Sequence, residues 1–283
     1  MDIATALLLL VIGIIAGGYG TIVGAGGGFI FVPALLLILK MDPAIAAGSG
    51  LVIVLINSFS GAIGYARQKK IDYRTGILIA IGALPGSLLG VWLLHVYASN
   101  YFNIAFATVL MLLGLFLFTK NTSFGKTKAS VQNHPQQHEA RQQMGATGSE
   151  VSQLATITNQ QSDGNRIDVK LLLPLGLLMG VLSSYLGIGG GWLLVPILIY
   201  GFKIPTHFAT ATSLFSLCIY SSYGVISQIF YNSIDWMTVL WGGIGIIIGS
   251  QLGVRLAQRI PGKIVMQMLS VLLVIIGFRM YFG

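Results

Sequence analysis

Two strips of clustered glycine, each set inside a long apolar stretch, constrain this chain more than any other feature. The first is Gly24-Ala25-Gly26-Gly27-Gly28, which runs through apolar residues into Pro33. The second is Gly187-Ile188-Gly189-Gly190-Gly191, which runs likewise into Pro196. Glycine costs about 1 kcal/mol relative to alanine inside a helix, so three in a row predict a broken or unwound helix. In lipid, backbone freed in this way must be buried in protein or face a water-filled cavity. Both strips therefore read as the substrate site of a membrane transporter.

Composition supports the membrane setting. Of 283 residues, 55% are hydrophobic and only 8% are charged, where a soluble domain carries roughly 25% charged residues. The apolar runs are too long and too continuous for a barrel, which leaves an all-α polytopic protein. The net charge of +8 does not point to nucleic acid, because the basic residues lie between apolar runs, where they set membrane orientation. Cys218 is the only cysteine, so no internal disulfide forms, and no Cys/His cluster suggests a metal or other cofactor. The first twenty residues do not resemble a signal peptide: Asp2 stands where basic residues would be, and the apolar run is too long.

The chain falls into three parts. Residues 1–119 hold a first set of apolar segments, at about 3–39, 43–66, 75–95 and 101–118. The stretch 3–39 is too long for one untilted crossing and is expected to form two short helices or a re-entrant hairpin that meet at the glycines. Residues 120–168 are rich in Gln, Ser, Thr and Asn and lack apolar periodicity, so they read as a flexible linker without chemistry. His134 and His138 within it have no further ligand candidates nearby. Residues 169–283 then restart the pattern.

The restart is literal. Shifting residues 17–119 by 163 positions aligns them with 180–282 without a gap, and 28 of the 103 positions are identical. The matches include Pro33 with Pro196, Lys40 with Lys203, Asp72 with Asp235 and Thr75 with Thr238. Shared apolar composition does not place paired Pro, Asp and Lys at one fixed offset. An internal repeat of this kind is typical of transporters.

Charge then distinguishes the copies. Arg67, Lys69, Lys70 and Arg74 make one loop of the first copy basic, while its counterpart around residues 232–235 has no Lys or Arg. The next loop is basic in the second copy, with Arg255, Arg259 and Lys263, and uncharged in the first, around residues 98–101. If basic loops face the cytoplasm, the copies have inverted topology. Each then contains a glycine-broken helix pair and three transmembrane helices, for eight to ten membrane segments in all. Both termini are expected outside and the linker in the cytoplasm.

A helix that begins in mid-membrane directs free N–H groups and a positive dipole end into the site. Two such ends would hold a small anion, chiefly through the backbone of Gly24, Gly26, Gly27 and Gly28 in one copy and Gly187, Gly189, Gly190 and Gly191 in the other. The segments that follow add uncharged donors. Ser49 and Thr212 occupy equivalent positions, with Ser213 beside the latter. Asn57 lacks a polar equivalent, since Tyr220 stands there, and is expected to make the site asymmetric. Gly86/Gly90 and Gly249/Gly253 are read instead as helix-packing positions.

At these residues the chain resembles the TauE/SafE family of sulfite exporters. The resemblance rests on GAGGGFIFVP (24–33), GIGGGWLLVP (187–196), the Ala/Thr/Ser-rich segments beginning near Ala46 and Ala209, and GSLLG/GSQLG at 86–90 and 249–253. It covers both halves and leaves out the linker. It implies a multi-pass inner-membrane permease that moves sulfite or small organosulfur anions, usually outward. The first copy reads Ala-Gly-Ser-Gly at 47–50, where the second reads Thr-Ala-Thr-Ser at 210–213, so the halves are not expected to contribute equally. An alternative outside transport is a membrane scaffold that uses the linker as a docking arm. Deleting residues 125–165 separates the two, since a transporter keeps its flux and a scaffold loses its function. Without an intramembrane acid–base cluster, enzymatic chemistry is the least favoured reading.

Overall fold

The computed structural model describes residues 2–97, 102–123 and 169–282. The proposed linker at 120–168, with His134 and His138, and the loop at 98–101 lie outside the described residues, apart from the last helical turn at 120–123. All regular structure among the described residues is helical. In the first half the helices are α1 (Ile3–Val23), α2 (Gly28–Leu37), α3 (Pro43–Arg67), α4 (Tyr73–Tyr97) and α5 (Phe102–Ser123). In the second half they are α6 (Val169–Leu186), α7 (Gly191–Pro196, continued as a π turn over Ile197–Gly201), α8 (Thr206–Phe230), α9 (Trp236–Ala257) and α10 (Gly262–Phe282). Six of them, namely α1, α3, α4, α8, α9 and α10, are long and apolar enough to cross a membrane.

The glycines break the chain where expected. Helix α1 ends at Gly24 in the left-handed region, with φ +83°, and α2 begins after Gly27, with φ +76°. A methyl on Gly20 would lie 2.2 Å from the Gly27 nitrogen, so the chain folds straight back on α1. Helix α6 ends at the same kind of turn, with Gly187 and Gly189 at positive φ. The turns differ at the third glycine: Gly190 is right-handed, with φ −82°, where its counterpart Gly27 is left-handed. Three other helix starts carry acidic caps. Asp42 accepts from the Ala44 N–H ahead of α3, and Asp72 and Asp235 accept from the Thr75 and Thr238 hydroxyls, both at 2.6 Å.

The halves embrace through reciprocal contacts. Helix α1 runs parallel to α9: methyls on Gly13, Gly17 and Gly18 would abut Gly242, Ile246 and Gly249. Helix α4 packs on α6 in the equivalent register, with Gly82, Gly86 and Gly90 against Leu173, Leu177 and Val181. Gly86/Gly90 and Gly249/Gly253 are thus close-packing positions, where backbone meets backbone. By contrast, α3 crosses its own counterpart α8 antiparallel, since Gly61 meets Leu214 while Gly224 meets Leu51. Helices α5 and α10 also run antiparallel, with Gly114 at Val274 and Gly277 at Ala107 and Met111. The same exchange appears in hydrogen bonds: Asp72 N donates to Thr212 Oγ1 at 3.0 Å, and Asp235 N donates to Ser49 Oγ at 2.9 Å.

These caps make a quantitative test. Asp72→Ala and Asp235→Ala each remove an N-cap carboxylate that holds a threonine hydroxyl, a change typically costing about 1 kcal/mol. Because the two sites are equivalent, the two variants should lower the thermal midpoint in detergent by similar amounts. A large inequality between them would show that the caps are not equivalent in energy.

Candidate functional site

The two glycine turns meet. A methyl on Gly28 would lie 2.8 Å from Ile188 Cα and 3.0 Å from the Gly187 carbonyl. In return, a methyl on Gly191 would lie 2.1 Å from the Gly24 carbonyl and 2.9 Å from Ala25 Cα. All of Gly24, Gly26, Gly27, Gly28, Gly187, Gly189, Gly190 and Gly191 are buried. Turns 163 residues apart in sequence therefore form one junction, closed in this conformation.

Around the junction lie polar groups with no protein partner. A buried polar group left unpaired costs about 1–3 kcal/mol, and such groups are rare in native structures. Asn57 Nδ2, Ser58 Oγ, Ser184 Oγ, Trp192 Nε1 and Thr210 Oγ1 are buried and unpaired, and Ser183 Oγ has the Tyr220 hydroxyl as its neighbour; towards the ends of α3 and α8, Gln68 Oε1 and both amide atoms of Gln228 are also buried and unpaired. At the junction the chemistry is one-sided. The side-chain nitrogens of Asn57 and Trp192 can only donate, and the hydroxyls can donate as well as accept. A centre of this kind favours a ligand rich in acceptors.

Asn57 is held in a definite orientation. Its Oδ1 lies 3.0 Å from Thr21 Oγ1, and Ser250 Oγ lies 3.1 Å from that same hydroxyl. Thr21 has one proton and Asn57 Oδ1 can only accept, so the order is Ser250 to Thr21 to Asn57. The amide NH₂ then points away, to within 3.1 Å of where a methyl on Gly20 would stand, beside the first turn. Thr21→Val keeps the shape and removes this lock. It is expected to weaken transport about tenfold, less than loss of the Asn57 amide itself, because a rotatable donor still remains. An initial-rate flux assay checks this; an effect as large as that of removing Asn57 would mean that Thr21 itself binds.

The second half solves the same position differently. Tyr220, the counterpart of Asn57, accepts from the Gly190 N–H at 3.2 Å. The expectation that Asn57 has no polar equivalent is thus corrected: the phenol hydroxyl reaches the second turn, because a longer side chain on α8 spans the gap that the amide leaves on α3. One of the expected free helix-end N–H groups is consequently occupied. Ser213 donates to the Gly24 carbonyl at 2.9 Å, which ties α8 to the first turn. Its counterpart Gly50 faces the Gly187 carbonyl with no side chain to offer, a real difference between the halves.

Ser49 and Thr212 are placed otherwise. Their hydroxyls are engaged by the starts of α9 and α4, so in this conformation they serve helix docking and not the junction. Sequence reasoning did not single out Thr21, Tyr220, Ser183, Ser184, Trp192, Gln228 or Ser250 as site residues. A usable signal existed for two pairs: Thr21 and Ser184 stand at the repeat offset, as do Ser87 and Ser250 within the GSxxG motifs.

The fold and this centre together define a multi-pass helical membrane transporter, built on two broken helices whose ends meet inside the protein. The chain belongs to the family described as sulfite exporter TauE/SafE, which residues 9–280 match. It is 28% identical to a probable membrane transporter protein, YunE, of Bacillus subtilis (strain 168), over 98% of this chain and 97% of that one. It is also 28% identical to a probable membrane transporter protein of Methanocaldococcus jannaschii, covering 96% of this chain and 94% of the other. A probable membrane transporter protein of Xylella fastidiosa (strain 9a5c) is 26% identical over 84% of this chain and 79% of its own length. No solved structure matches.

Proposed function

We propose that the protein carries small sulfur oxyanions, such as sulfite or short organosulfonates, across the plasma membrane by alternating access at the glycine junction. The observation that supports this most directly is the excess of unpaired donors there over acceptors. A sulfur oxyanion presents acceptors only, and these groups would satisfy it without a buried counter-charge. Export of an anion from a negative interior gains about 2.3 kcal/mol per charge per 100 mV.

Two repeats, 1–119 and 169–283, joined by a cytoplasmic linker at 120–168, carry the motion. In this reading they lie inverted in the bilayer. The antiparallel crossings of α3 with α8 and of α5 with α10 support it, since a twofold relation that reverses self-paired helices has its axis across them. The N- and C-termini are then outside. Single cysteines in place of Lys69 and Asn232, in a Cys218→Ser background, test the orientation. A membrane-impermeant thiol reagent added outside should label the Asn232 position and spare the Lys69 position; labelling of both from one side contradicts inversion.

The function itself is tested in proteoliposomes loaded with sulfite or ethanesulfonate and held at a set membrane potential. Flux above that of protein-free vesicles is expected. Absence of flux for every sulfur oxyanion tried, with protein that remains folded, ends the proposal.

A further inference from the structure

The space between the two glycine turns is filled by one side chain from each half. Val54 on α3 and Leu217 on α8 are equivalent by the 163-residue offset, and both are fully buried. Each touches both turns. A methyl on Gly26 would lie 2.9 Å from Val54 Cγ1 and 3.5 Å from Leu217 Cδ1. One on Gly189 would lie 2.9 Å from Val54 Cγ1 and 3.2 Å from Leu217 Cδ2. Gly28 adds a contact to Val54 at 2.5 Å, and Gly191 one to Leu217 at 2.8 Å. Two branched apolar side chains thus occupy the middle of a centre whose rim consists of unpaired donors.

We propose that Val54 and Leu217 form a two-residue apolar plug whose combined size sets the largest anion the junction accepts. The assignment rests on the transport reading given above. With the plug in place, the donors at Asn57 and around Tyr220 have no shared ligand space, so substrate enters only as the pair withdraws. The residues that follow the pair in each helix, Leu55 and Cys218, line an open groove of about 640 Å³ together with Phe59 and Ser222. The side chains are unequal, which makes Leu217 the larger part of the restriction.

The test is a size series in proteoliposomes, with sulfite, ethanesulfonate and 1-butanesulfonate as probes, on the full chain. Val54→Ala and Leu217→Ala should each raise butanesulfonate flux relative to sulfite, by about tenfold or more for the second, within the range that small changes in an apolar pocket produce. Leu217→Val, which leaves a smaller void, should fall between wild type and alanine and serves if the alanine variant does not fold. Val54→Phe should suppress all three fluxes in protein that still elutes as a folded species. An unchanged ratio in folded Leu217→Ala or Leu217→Val, with sulfite still carried, overturns the plug and leaves the transport reading intact. Failure of the wild type to carry any of the three overturns both.

Discussion

Gly187→Ala is expected to yield little or no folded protein. Gly187 has φ +68°, and a methyl there would lie 2.3 Å from the Ala47 carbonyl oxygen and 2.4 Å from its Cα. Both neighbours are main chain of α3 and cannot rotate away. Left-handed geometry costs a non-glycine residue roughly 1–2 kcal/mol, and overpacking typically adds 1–3 kcal/mol. The sum, about 2–5 kcal/mol, is a large part of the 5–15 kcal/mol that holds typical domains folded. Its counterpart Gly24→Ala carries similar strain, at φ +83°, but its nearest contacts are 2.9 Å, one of them a Val195 side-chain methyl. It should be the milder of the two. Gly201→Ala, with nothing nearer than 3.8 Å, is the control and should behave as wild type. Yield and thermal midpoint of the three variants in one detergent give the ranking. A stable Gly187→Ala protein would mean that the turn and α3 are less tightly apposed than described.

Asn57→Asp is expected to abolish anion flux per folded molecule. The change is nearly isosteric, and a carboxylate oxygen can still accept from Thr21. What changes is the other atom, from an unpaired donor to a negatively charged acceptor beside the first glycine turn. A hydrogen bond to a charged group is worth roughly 1.5–3 kcal/mol, so loss of the donor alone implies about a tenfold to hundredfold fall, and repulsion deepens it. Asn57→Leu removes the donor without adding charge and should show the smaller effect. The order matters more than the size. If the centre held a cation, the aspartate would preserve or strengthen transport, and the anion assignment would be wrong. Initial rates of sulfite efflux, normalised to folded protein, decide between the two.

The repeat and the breaks were legible in the chain itself. Each is a local matter. Three glycines cannot hold a helix against the cost of ordering them. The packing role of Gly86/Gly90 and Gly249/Gly253 was readable for the same reason, since small residues one turn apart leave a groove that only another backbone fills. Ser49 and Thr212 show the limit. They are hydroxyls at matching positions beside the right segments, and they face the starts of α9 and α4. One step of 100° around a helix separates a residue that faces a turn from one that does not, and no pattern in α3 reveals which way the helix is rolled. Tyr220 shows the same limit from the other side: it looks apolar in a sequence comparison with Asn57, yet its hydroxyl reaches Gly190.

By itself, the order of residues determined that this chain spans a membrane, that it does so twice over with one plan, and where its helices must stop. Those outcomes follow from hydropathy and backbone sterics, which act within a few residues. Only the tertiary structure decided that the two breaks touch, that Thr21 turns the Asn57 amide toward the first of them, and that Val54 and Leu217 fill the gap between. These are contacts between segments up to 229 residues apart, fixed by how the helices roll and interlock, and a one-dimensional pattern carries no record of that rotation.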